Sequence, residues 1–347
     1  MTDNHMKPVL QSDTRSVSDT DTDTDIGIFS NKKLVTEPHL ITVVIPVYNE
    51  EASAEATVGR LDALKQKMLH TAELEFIFVN DGSKDKTSQI LHAHADKKPY
   101  LKLIELSRNF GHQIAVTAGL DAAQGDFIAI IDGDLQDPPE LIEQMYLKAL
   151  EGFDVVYGQR RKRLGESIFK NSSAWAFYRI LKFMSDTEIP VNTGDFRLIS
   201  RRVADTLANM RERNRFLRGM IPWIGFESAP ILYDRDPRRA GTTKYPMRKM
   251  LALAINAVMS FSSKPLLFVV RFGLLVFGIG VLAGFYLLYL KFFTETVVPG
   301  ITSILISIVV FNGIQIAIIG VVGVYVANLF DEIKGRPLYV VSRSFNV

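Results

Sequence analysis

Apolar runs alternate with longer mixed segments between residues 39 and 160. Five apolar runs predict β-strands, at residues 40–48, 74–81, 101–107, 126–132 and 153–159. The segments between them suit helices, at residues 51–70, 87–95, 111–123 and 139–151. Near-continuous apolar strands that alternate with helices are typical of a mainly parallel sheet covered on both faces. The pattern predicts an α/β domain whose ligands gather at the carboxyl ends of its strands.

The last quarter of the chain follows a different, continuously apolar pattern. Residues 272–290 and 296–330 contain no charged side chain. About 20 apolar residues cross a bilayer, so residues 266–330 predict a hairpin of two transmembrane helices. Lys and Arg flank both ends of the hairpin, whereas its short loop offers only Lys291. The positive-inside rule therefore places the main domain in the cytoplasm. The alternative is a pair of buried core helices.

Three further segments complete the predicted organisation. Residues 1–38 are rich in Asp, Thr and Ser and predict a disordered arm. Residues 39–246 are predicted to form the α/β domain, and residues 331–347 are predicted to form a cytoplasmic tail. Residues 247–265 place apolar side chains on one side at helical spacing, which predicts an amphipathic helix in the membrane interface. A helix packed on the soluble domain would show the same pattern.

Charge is strongly segregated, although the net charge of the whole chain is only +2. Residues 39–158 carry 10 Lys and Arg against 19 Asp and Glu, a net charge of −9. Residues 159–271 carry 22 against 9, a net charge of +13. A basic block beside apolar segments indicates an anionic membrane surface or an anionic substrate, with a solvated basic face as the alternative. The chain has no Cys, which excludes thiolate catalysis and thiolate metal sites.

The densest candidate chemistry lies in IAIIDGDLQDPPE, residues 128–140. Asp132, Asp134 and Gln136 recur at every second position after a predicted strand, so their side chains can converge in extended backbone. Mg²⁺ or Mn²⁺ prefers such oxygen ligands and would relieve the repulsion between the carboxylates. The absence of Cys and of a nearby His argues against zinc. The alternative is an ordinary acidic turn.

Other polar motifs follow the first two strands. VVIPVYNEE ends in Tyr48 and Glu50, and FVNDGSKDKT contains Asp81. An acid at such a position can accept hydrogen bonds from a ribose or a base, although an Asx turn or a helix cap would look alike. The chain lacks GxxxxGK[ST] and GxGxxG, so the ATPase and dinucleotide-binding interpretations lack their phosphate loops.

These motifs together resemble those of the family-2 glycosyltransferases with the GT-A fold. VVIPVYNEE, FVNDGSKDKT and RNFGHQIAVTAGLDAAQGDFIAIIDGDLQDPPE carry the resemblance. With the apolar hairpin, the chain is most similar to the polyprenyl-phosphate glycosyltransferases, which include bactoprenol glucosyltransferases and dolichol-phosphate mannose synthases. The resemblance implies a Rossmann-like GT-A domain, an interface helix and two transmembrane helices, in the bacterial inner membrane.

The resemblance also implies roles for individual residues. Those expected to bind the nucleotide sugar are Pro46, Tyr48, Glu50, Asp81 and Asp132. Those expected to hold the metal are Asp132, Asp134 and Gln136. Asp195 in NTGDFRL is the candidate catalytic residue, as base or as orienting group. Those expected to bind the acceptor phosphate are Arg160, Arg239 and Lys244. His112 is expected to pack or cap the start of its helix.

The implied reaction is an inverting transfer of one sugar to undecaprenyl phosphate at the cytoplasmic face, with UDP-glucose as the expected donor. A nucleotide sugar, a polyprenyl phosphate and the membrane are the expected partners, with no nucleic acid, and a homo-oligomer is plausible. Three alternatives stay open: a GDP-mannose-dependent mannosyltransferase, a non-catalytic scaffold, and a processive synthase. The last is disfavoured because RGMIPW does not match a Gln-x-x-Arg-Trp motif.

Overall fold

The structure, a computed structural model, describes residues 38–161, 193–234, 264–293 and 300–347. Three sets of predictions lie outside the described residues. They are the arm at residues 1–37, most of the interface helix at residues 247–263, and the acceptor-phosphate residues Arg239 and Lys244.

The described strands form one eight-stranded mixed sheet with the order β7-β5-β6-β4-β1-β2-β3-β8. Their bounds are β1 Leu40–Val47, β2 Glu73–Asn80, β3 Leu101–Leu106, β4 Phe127–Ile130, β5 Val155–Arg160, β6 Thr193–Ser200, β7 Ser228–Tyr233 and β8 Val341–Phe345. Strand β1 is parallel to β2 and β4, β2 to β3, and β5 to β7. The pairs β4·β6, β5·β6 and β3·β8 are antiparallel.

Helices follow the parallel strands as the sequence predicts. Their bounds are α1 Ala54–Met68, α2 Thr87–Ala95, α3 His112–Ala122, α4 Leu141–Ala149, α5 Arg201–Asn209, α6 Leu217–Ile224, α7 Lys264–Phe293 and α8 Ile301–Ile333. Helices α1, α2 and α4 bury apolar side chains in a core on one face of the sheet. Helices α3, α5 and α6 pack on the other face. The prediction of an α/β sheet covered on both faces is confirmed.

The order of the sheet positions the candidate site. The chain runs from β1 outwards through β2 to β3, and then returns to the other side of β1 with β4. Strand order therefore reverses between β1 and β4, whose carboxyl ends border a crevice. Such a crevice is where open α/β sheets bind ligands.

Three strands are absent from the sequence prediction. Strand β6 is almost fully buried but contains Asp195 and Arg197, so its composition does not match that of a core strand. Strand β8 is exposed at four of its five positions on one edge of the sheet, and β7 carries Pro230 on the other edge, where a missing N–H is tolerated. These short mixed segments give a weak periodic signal, which is why the three strands were not predicted.

A close approach between α3 and β1 makes Gly119 structurally necessary. A Cβ atom at Gly119 would lie 2.2 Å from Cγ1 of Val44, whose side chain is fully buried. Gly119→Ala should therefore destabilise the protein by about 1–3 kcal/mol through overpacking, measured as a lower thermal midpoint. Gly59→Ala in α1 is the matched control, since its Cβ would meet nothing within 4 Å and Ala favours the helix. Equal midpoints for both variants would contradict the packing argument.

Helices α7 and α8 lie where the sequence predicts the hairpin. They are 30 and 33 residues long, and large apolar side chains such as Leu282 and Ile316 are exposed on them. Of the described residues, one segment, Phe311–Ile333 in α8, is long and apolar enough to cross a membrane. Helix α7 contains a shorter apolar segment, Leu266–Gly280. A two-span topology stays a prediction.

The chain returns to the α/β domain after α8. Strand β8 pairs with β3, and the side chain of Asn346 donates hydrogen bonds to the carbonyls of Ala95 (2.8 Å) and Leu101 (3.0 Å). The Tyr339 hydroxyl donates to Asp121 Oδ2 (2.8 Å). The C-terminal segment, predicted as a tail, thus contributes the edge strand of the sheet.

Candidate active site

The loops after β1 and β2 are joined by hydrogen bonds at the carboxyl edge of the sheet. Asn49 adopts the left-handed conformation (φ 52°), which Asn tolerates better than most residues. Its backbone N–H donates to Ser83 Oγ (2.9 Å), and its Oδ1 accepts from the Lys84 N–H (2.8 Å). Both loops are therefore held in defined positions beside the crevice.

The segment after β4 is fixed through Gly133. The Gly133 carbonyl accepts hydrogen bonds from the hydroxyls of Ser53 and Thr57, each at 3.2 Å. A Cβ atom at this position would lie 2.7 Å from Cγ1 of Val47, so only glycine lets the segment approach β1 so closely. The carboxylates on either side, Asp132 and Asp134, are thereby held at the mouth of the crevice.

Burial alternates along this segment, but its backbone turns at Leu135 (φ 59°) and is not extended as the sequence predicts. Asp132, Asp134 and Gln136 are half-buried, while the residues between them are buried. The Gln136 N–H donates to Asp134 Oδ1 (3.1 Å). Burial and the neighbouring carboxylates of Asp195, Asp137 and Asp134 raise the pKa of Asp132 to about 6, although His112 opposes the shift.

This donor set fits a hard divalent cation. Two carboxylates and an amide are oxygen donors, and a cation would relieve the crowding of negative charge that raises the pKa of Asp132. The described residues contain no cluster of three or more His, Asp or Glu side chains arranged to hold a metal by themselves. A cation here would need oxygens from a substrate, as Mg²⁺ commonly does.

Asp195 reaches the same crevice from the antiparallel part of the sheet. Ile130 of β4 pairs with Arg197 of β6, and continuing this register places Asp195 level with Asp132. The Asp195 carboxylate is 4% exposed and accepts hydrogen bonds from three side chains. The donors are Arg218 Nε (2.8 Å) and Nη2 (3.0 Å), His112 Nε2 (3.2 Å) and Gln113 Nε2 (3.3 Å).

These donors determine the charge of the cluster. Burial acts to raise the pKa of Asp195, but the Arg218 guanidinium and His112 outweigh it and hold that pKa well below its usual range. A carboxylate so strongly stabilised in its ionised form is a weak proton acceptor. Its geometry suits the orientation of His112 and Arg218 better than proton abstraction.

His112 connects the two acidic groups of the crevice. Its Nε2 lies 3.2 Å from Asp195 Oδ2 and 3.5 Å from Asp132 Oδ1. Burial acts to lower the pKa of His112, but both carboxylates raise it to about 9. His112 is therefore an imidazolium at neutral pH, and it joins the Asp132 segment to β6.

Because its pKa rises from 6.5 to about 9 on folding, His112 stabilises the protein in a pH-dependent way. The stabilisation is fully present below pH 6.5 and is lost as pH rises through 9. His112→Gln should therefore lower the thermal midpoint more at pH 6 than at pH 9.5, measured without added divalent cation. A loss of the same size at both pH values would contradict the ion-pair geometry.

The predicted nucleotide-binding residues line the ends of β1 and β2. Pro46 is buried within β1, and Tyr48 and Glu50 are half-buried just after it. Asp81 follows β2 and accepts hydrogen bonds from the N–H groups of Phe110 (2.7 Å) and Gly111 (2.9 Å). Burial raises the pKa of Asp81, and these two bonds oppose the shift. Asp81 thus fixes the loop that leads to His112.

Arg160 lies on the opposite face of β6 from Asp195. A Cβ atom at Gly194 would lie 2.9 Å from Arg160 Nη2, so the guanidinium packs over that glycine. Arg160 Nε donates to the Tyr233 hydroxyl (3.4 Å), which itself donates to the buried Asp137. Burial acts to lower the pKa of Arg160, but Tyr233 and Asp137 raise it.

Sequence reasoning missed Arg218 and Gln113 and the contact between His112 and Asp195. His112 and Gln113 begin α3 directly after the loop that leaves β3, so their position at the carboxyl edge of the sheet was an available signal. His112 was expected to pack or to cap its helix, and the structure adds that its ring bonds Asp195 (3.2 Å). Arg218 lies in a short helix after β6 and carried no comparable signal.

Comparison with known proteins adds a family and several relatives. The model of the family "Glycosyl transferase family 2" matches residues 42–208. The uncharacterized glycosyltransferase YkcC of Bacillus subtilis (strain 168) is 48% identical over 88% of this chain and 94% of its own length. A prophage bactoprenol glucosyl transferase homolog of Escherichia coli (strain K12) is 38% identical, over 87% of this chain and 98% of its own. The bactoprenol glucosyl transferase of Shigella phage SfII is 37% identical over 88% of this chain and 98% of its own length.

Proposed function

The chain belongs to glycosyl transferase family 2 and is a glycosyltransferase, and from that premise we propose that it transfers a single sugar from a nucleotide sugar to a polyprenyl phosphate. The observation that carries the proposal is the junction of two acidic groups at the crevice. Asp132 follows β4, Asp195 comes from β6, and one nitrogen of His112 lies within 3.5 Å of both. The relatives named for bactoprenol support the lipid acceptor.

The nucleotide sugar would bind where strand order reverses. Tyr48 and Glu50 are half-buried just after β1, and the buried Asp81 follows β2, beside the crevice in which we place the base and the ribose. Asp132 would face the nucleotide from the other side of β1. UDP-glucose is the proposed donor, since the bactoprenol relatives are named as glucosyl transferases. A GDP-mannose donor is the alternative.

Asp132, Asp134 and Gln136 would hold Mg²⁺ or Mn²⁺. When bound, the cation supplies charge stabilisation to the departing nucleoside diphosphate. The segment itself contributes rigidity, because Gly133 is held by Ser53 and Thr57. Preorganised groups of this kind need little rearrangement during the reaction.

The acceptor phosphate makes a strong general base unnecessary. A phosphate monoester has its second pKa near 6 and is largely ionised at neutral pH. Asp195, whose pKa is held well below its usual range, would therefore orient His112, Arg218 and the substrates rather than abstract a proton. The proposed phosphate-binding residues are Arg160 and, outside the described residues, Arg239 and Lys244. Direct attack by the phosphate oxygen would invert the anomeric carbon.

The membrane would present the acceptor to the crevice. Helices α7 and α8 expose large apolar side chains, and the segment Phe311–Ile333 is long enough to span a bilayer. We place the catalytic domain on the cytoplasmic side of a bacterial inner membrane, with both helices inserted. A homo-oligomer within the membrane is compatible with this arrangement.

The donor and acceptor are testable together. Membranes that contain the protein would be incubated with radiolabelled UDP- and GDP-sugars and either Mg²⁺ or Mn²⁺, beside membranes that lack it. Label from UDP-glucose should enter the lipid extract only where the protein is present. If only GDP-mannose labels the lipid extract, GDP-mannose is the donor and the UDP-glucose proposal is wrong. If no labelled sugar enters the lipid extract of membranes that contain the protein, the proposed lipid acceptor is contradicted.

A further inference from the structure

The C-terminal end of α8 is joined to the loop between α5 and α6, residues 210–216. The Arg213 backbone N–H donates a hydrogen bond to Glu332 Oε1 (2.7 Å). The Arg213 guanidinium donates to the Arg336 carbonyl, just after the helix. These partners are 119 and 123 residues apart along the chain, so the contacts are tertiary ones. The proposed chemistry uses none of these residues.

The same loop and the segment after α8 also meet at one carboxylate of α3. Asp121 lies in the last turn of α3, and its Oδ2 accepts hydrogen bonds from Arg211 Nη1 (2.7 Å) and the Tyr339 hydroxyl (2.8 Å). Arg211 belongs to the loop, and Tyr339 follows α8. We refer to the contacts of Glu332 and Asp121 with Arg211, Arg213 and Tyr339 as the clasp.

The clasp lies where α8 changes from apolar to polar. Leu329, Phe330 and Ile333 are close to Glu332 on the helix and are 60%, 60% and 81% exposed. Lys334 follows them directly. Exposed apolar side chains of this size are stable in a bilayer, and a Lys beside them marks its surface. With α8 inserted, the clasp therefore lies at the cytoplasmic surface of the bilayer.

The clasp adds a restraint on angle to an attachment that the chain already has. Strand β8 pairs with β3, so the chain that follows α8 is attached to the α/β domain without the clasp. Residues 334–338 connect α8 to Tyr339 and include Gly335 in the left-handed conformation (φ 58°). Glycine leaves such a connection free to bend, because no side chain restricts its backbone. Loss of the clasp would thus let the domain swing relative to α8 about these residues.

Such a swing would displace the candidate active site. Asp121 at the clasp and His112 at the crevice lie near opposite ends of α3. The rise of an α-helix separates two such positions by about 14 Å. A tilt of the domain about the clasp therefore moves the crevice by several ångströms relative to the bilayer. Reactions that depend on position are slowed by displacements of about 1 Å.

We propose that the clasp fixes the angle of the α/β domain over the bilayer, an inference that rests on the membrane placement in the proposed function. Glu332 is then a positioning residue, which acts by holding residues 210–216 against the membrane end of α8. A hydrogen bond between a carboxylate and a backbone N–H suits this role, because it is charge-assisted and fixes the path of the loop itself.

Glu332→Ala tests the clasp with two acceptors. For undecaprenyl phosphate in phosphatidylcholine vesicles, kcat/KM should fall about tenfold, whereas for citronellyl phosphate in solution it should stay within about twofold. The KM for the nucleotide sugar should not change. Asp331→Ala is the matched control, because the neighbouring Asp331 pairs with Lys334 (3.0 Å) at its own end of the helix. Glu332→Gln should restore most of the transfer, since its amide oxygen still accepts from the Arg213 N–H.

A distance measurement tests the angle without any sugar transfer. The chain has no Cys, so a single Cys in place of Glu73, which is exposed at the start of β2, can carry a fluorescent label. Time-resolved energy transfer to labelled lipid headgroups would then report the distances between the domain and the bilayer in the same vesicles. Glu332→Ala should widen the distribution of these distances, and Asp331→Ala should leave it as in the unmodified protein.

The outcomes are distinguishable. Equal losses with the two acceptors would overturn the positioning role, because they would place the defect in the chemistry itself. Undiminished transfer to undecaprenyl phosphate by Glu332→Ala, or an unchanged distribution of distances, would overturn it as well. Absence of transfer to any lipid phosphate by the unmodified protein would overturn the proposed function instead. The clasp would then stand if Glu332→Ala widened the distribution of distances, and it would fall if the distribution stayed the same.

Discussion

Replacing Asp134 with Ala should reduce sugar transfer by roughly 10³-fold or more while the protein stays folded. Asp134 is half-buried at the crevice mouth and accepts a hydrogen bond from the Gln136 N–H. The substitution removes one of the two carboxylates that would hold the divalent cation, and leaves Asp132 as the one proposed carboxylate ligand. The loss should appear in kcat at saturating donor and should not be rescued by raising Mg²⁺ or Mn²⁺.

Glu140→Ala is the matched control for this experiment. Glu140 lies six positions further along the same acidic segment, and its carboxylate pairs with Arg60 on the surface (2.6 Å). A surface pair contributes at most about 1 kcal/mol. Glu140 is not a proposed metal ligand, and it approaches the segment only as the partner of Arg60, whose Nη1 also donates to the Leu135 carbonyl (3.4 Å). Glu140→Ala should keep activity within about twofold of the unmodified protein. Normal transfer by Asp134→Ala would contradict the metal assignment.

Asp195→Asn has the second largest expected effect, on both rate and stability. The amide keeps the shape of the carboxylate but removes its charge and turns an N–H₂ group towards donors of Arg218 or His112. Breaking one side of a buried ion pair costs about 3–5 kcal/mol, and the low end applies because the Arg218 side chain is 34% exposed. We expect kcat to fall roughly 10²–10³-fold, since His112 and Arg218 lose their fixed orientation.

The pH profile separates orientation from proton abstraction by Asp195. Because the pKa of Asp195 is held well below its usual range, its ionisation should not appear in kcat between pH 5 and 8. Asp195→Glu should recover part of the rate, because it restores the charge with a longer side chain. Asp132, whose pKa is about 6, and the acceptor phosphate also titrate in this range. An ionisation between pH 5 and 8 that the unmodified protein shows and Asp195→Asn lacks would contradict the orienting role.

The parallel half of the fold was predictable because its strands are uniformly apolar. Val43, Val44 and Ile45 of β1 are fully buried, and their pattern identifies a central strand without further information. The antiparallel half was not predictable in the same way. Strand β6 buries Asp195 and Arg197 beside Phe196. Asp195 is accommodated by side chains that fold in from elsewhere in the chain, such as Arg218, whereas Arg197 donates to the carbonyls of Gly194 and Asp195 in its own strand.

The residues of the candidate site differ in the same way in how far the sequence predicts them. Asp132, Asp134 and Gln136 were identified from local spacing after one strand, and in the structure each of the three is half-buried. Arg218 was not, because its contact with Asp195 depends on how α6 packs against β6. A local sequence pattern can identify residues that act together within one segment. Residues that come into contact through tertiary packing can be identified only once the fold is known.

The central claim is the transfer of one sugar to a lipid phosphate, and the product measures it most directly. The purified protein would be incubated with undecaprenyl phosphate, radiolabelled UDP-glucose and Mg²⁺ or Mn²⁺, and the lipid product would be analysed by chromatography and mass spectrometry over time. We predict a lipid phosphate that carries one hexose, whose amount grows while its size stays constant. A product that lengthens with time, or label that never enters the lipid, would contradict the account.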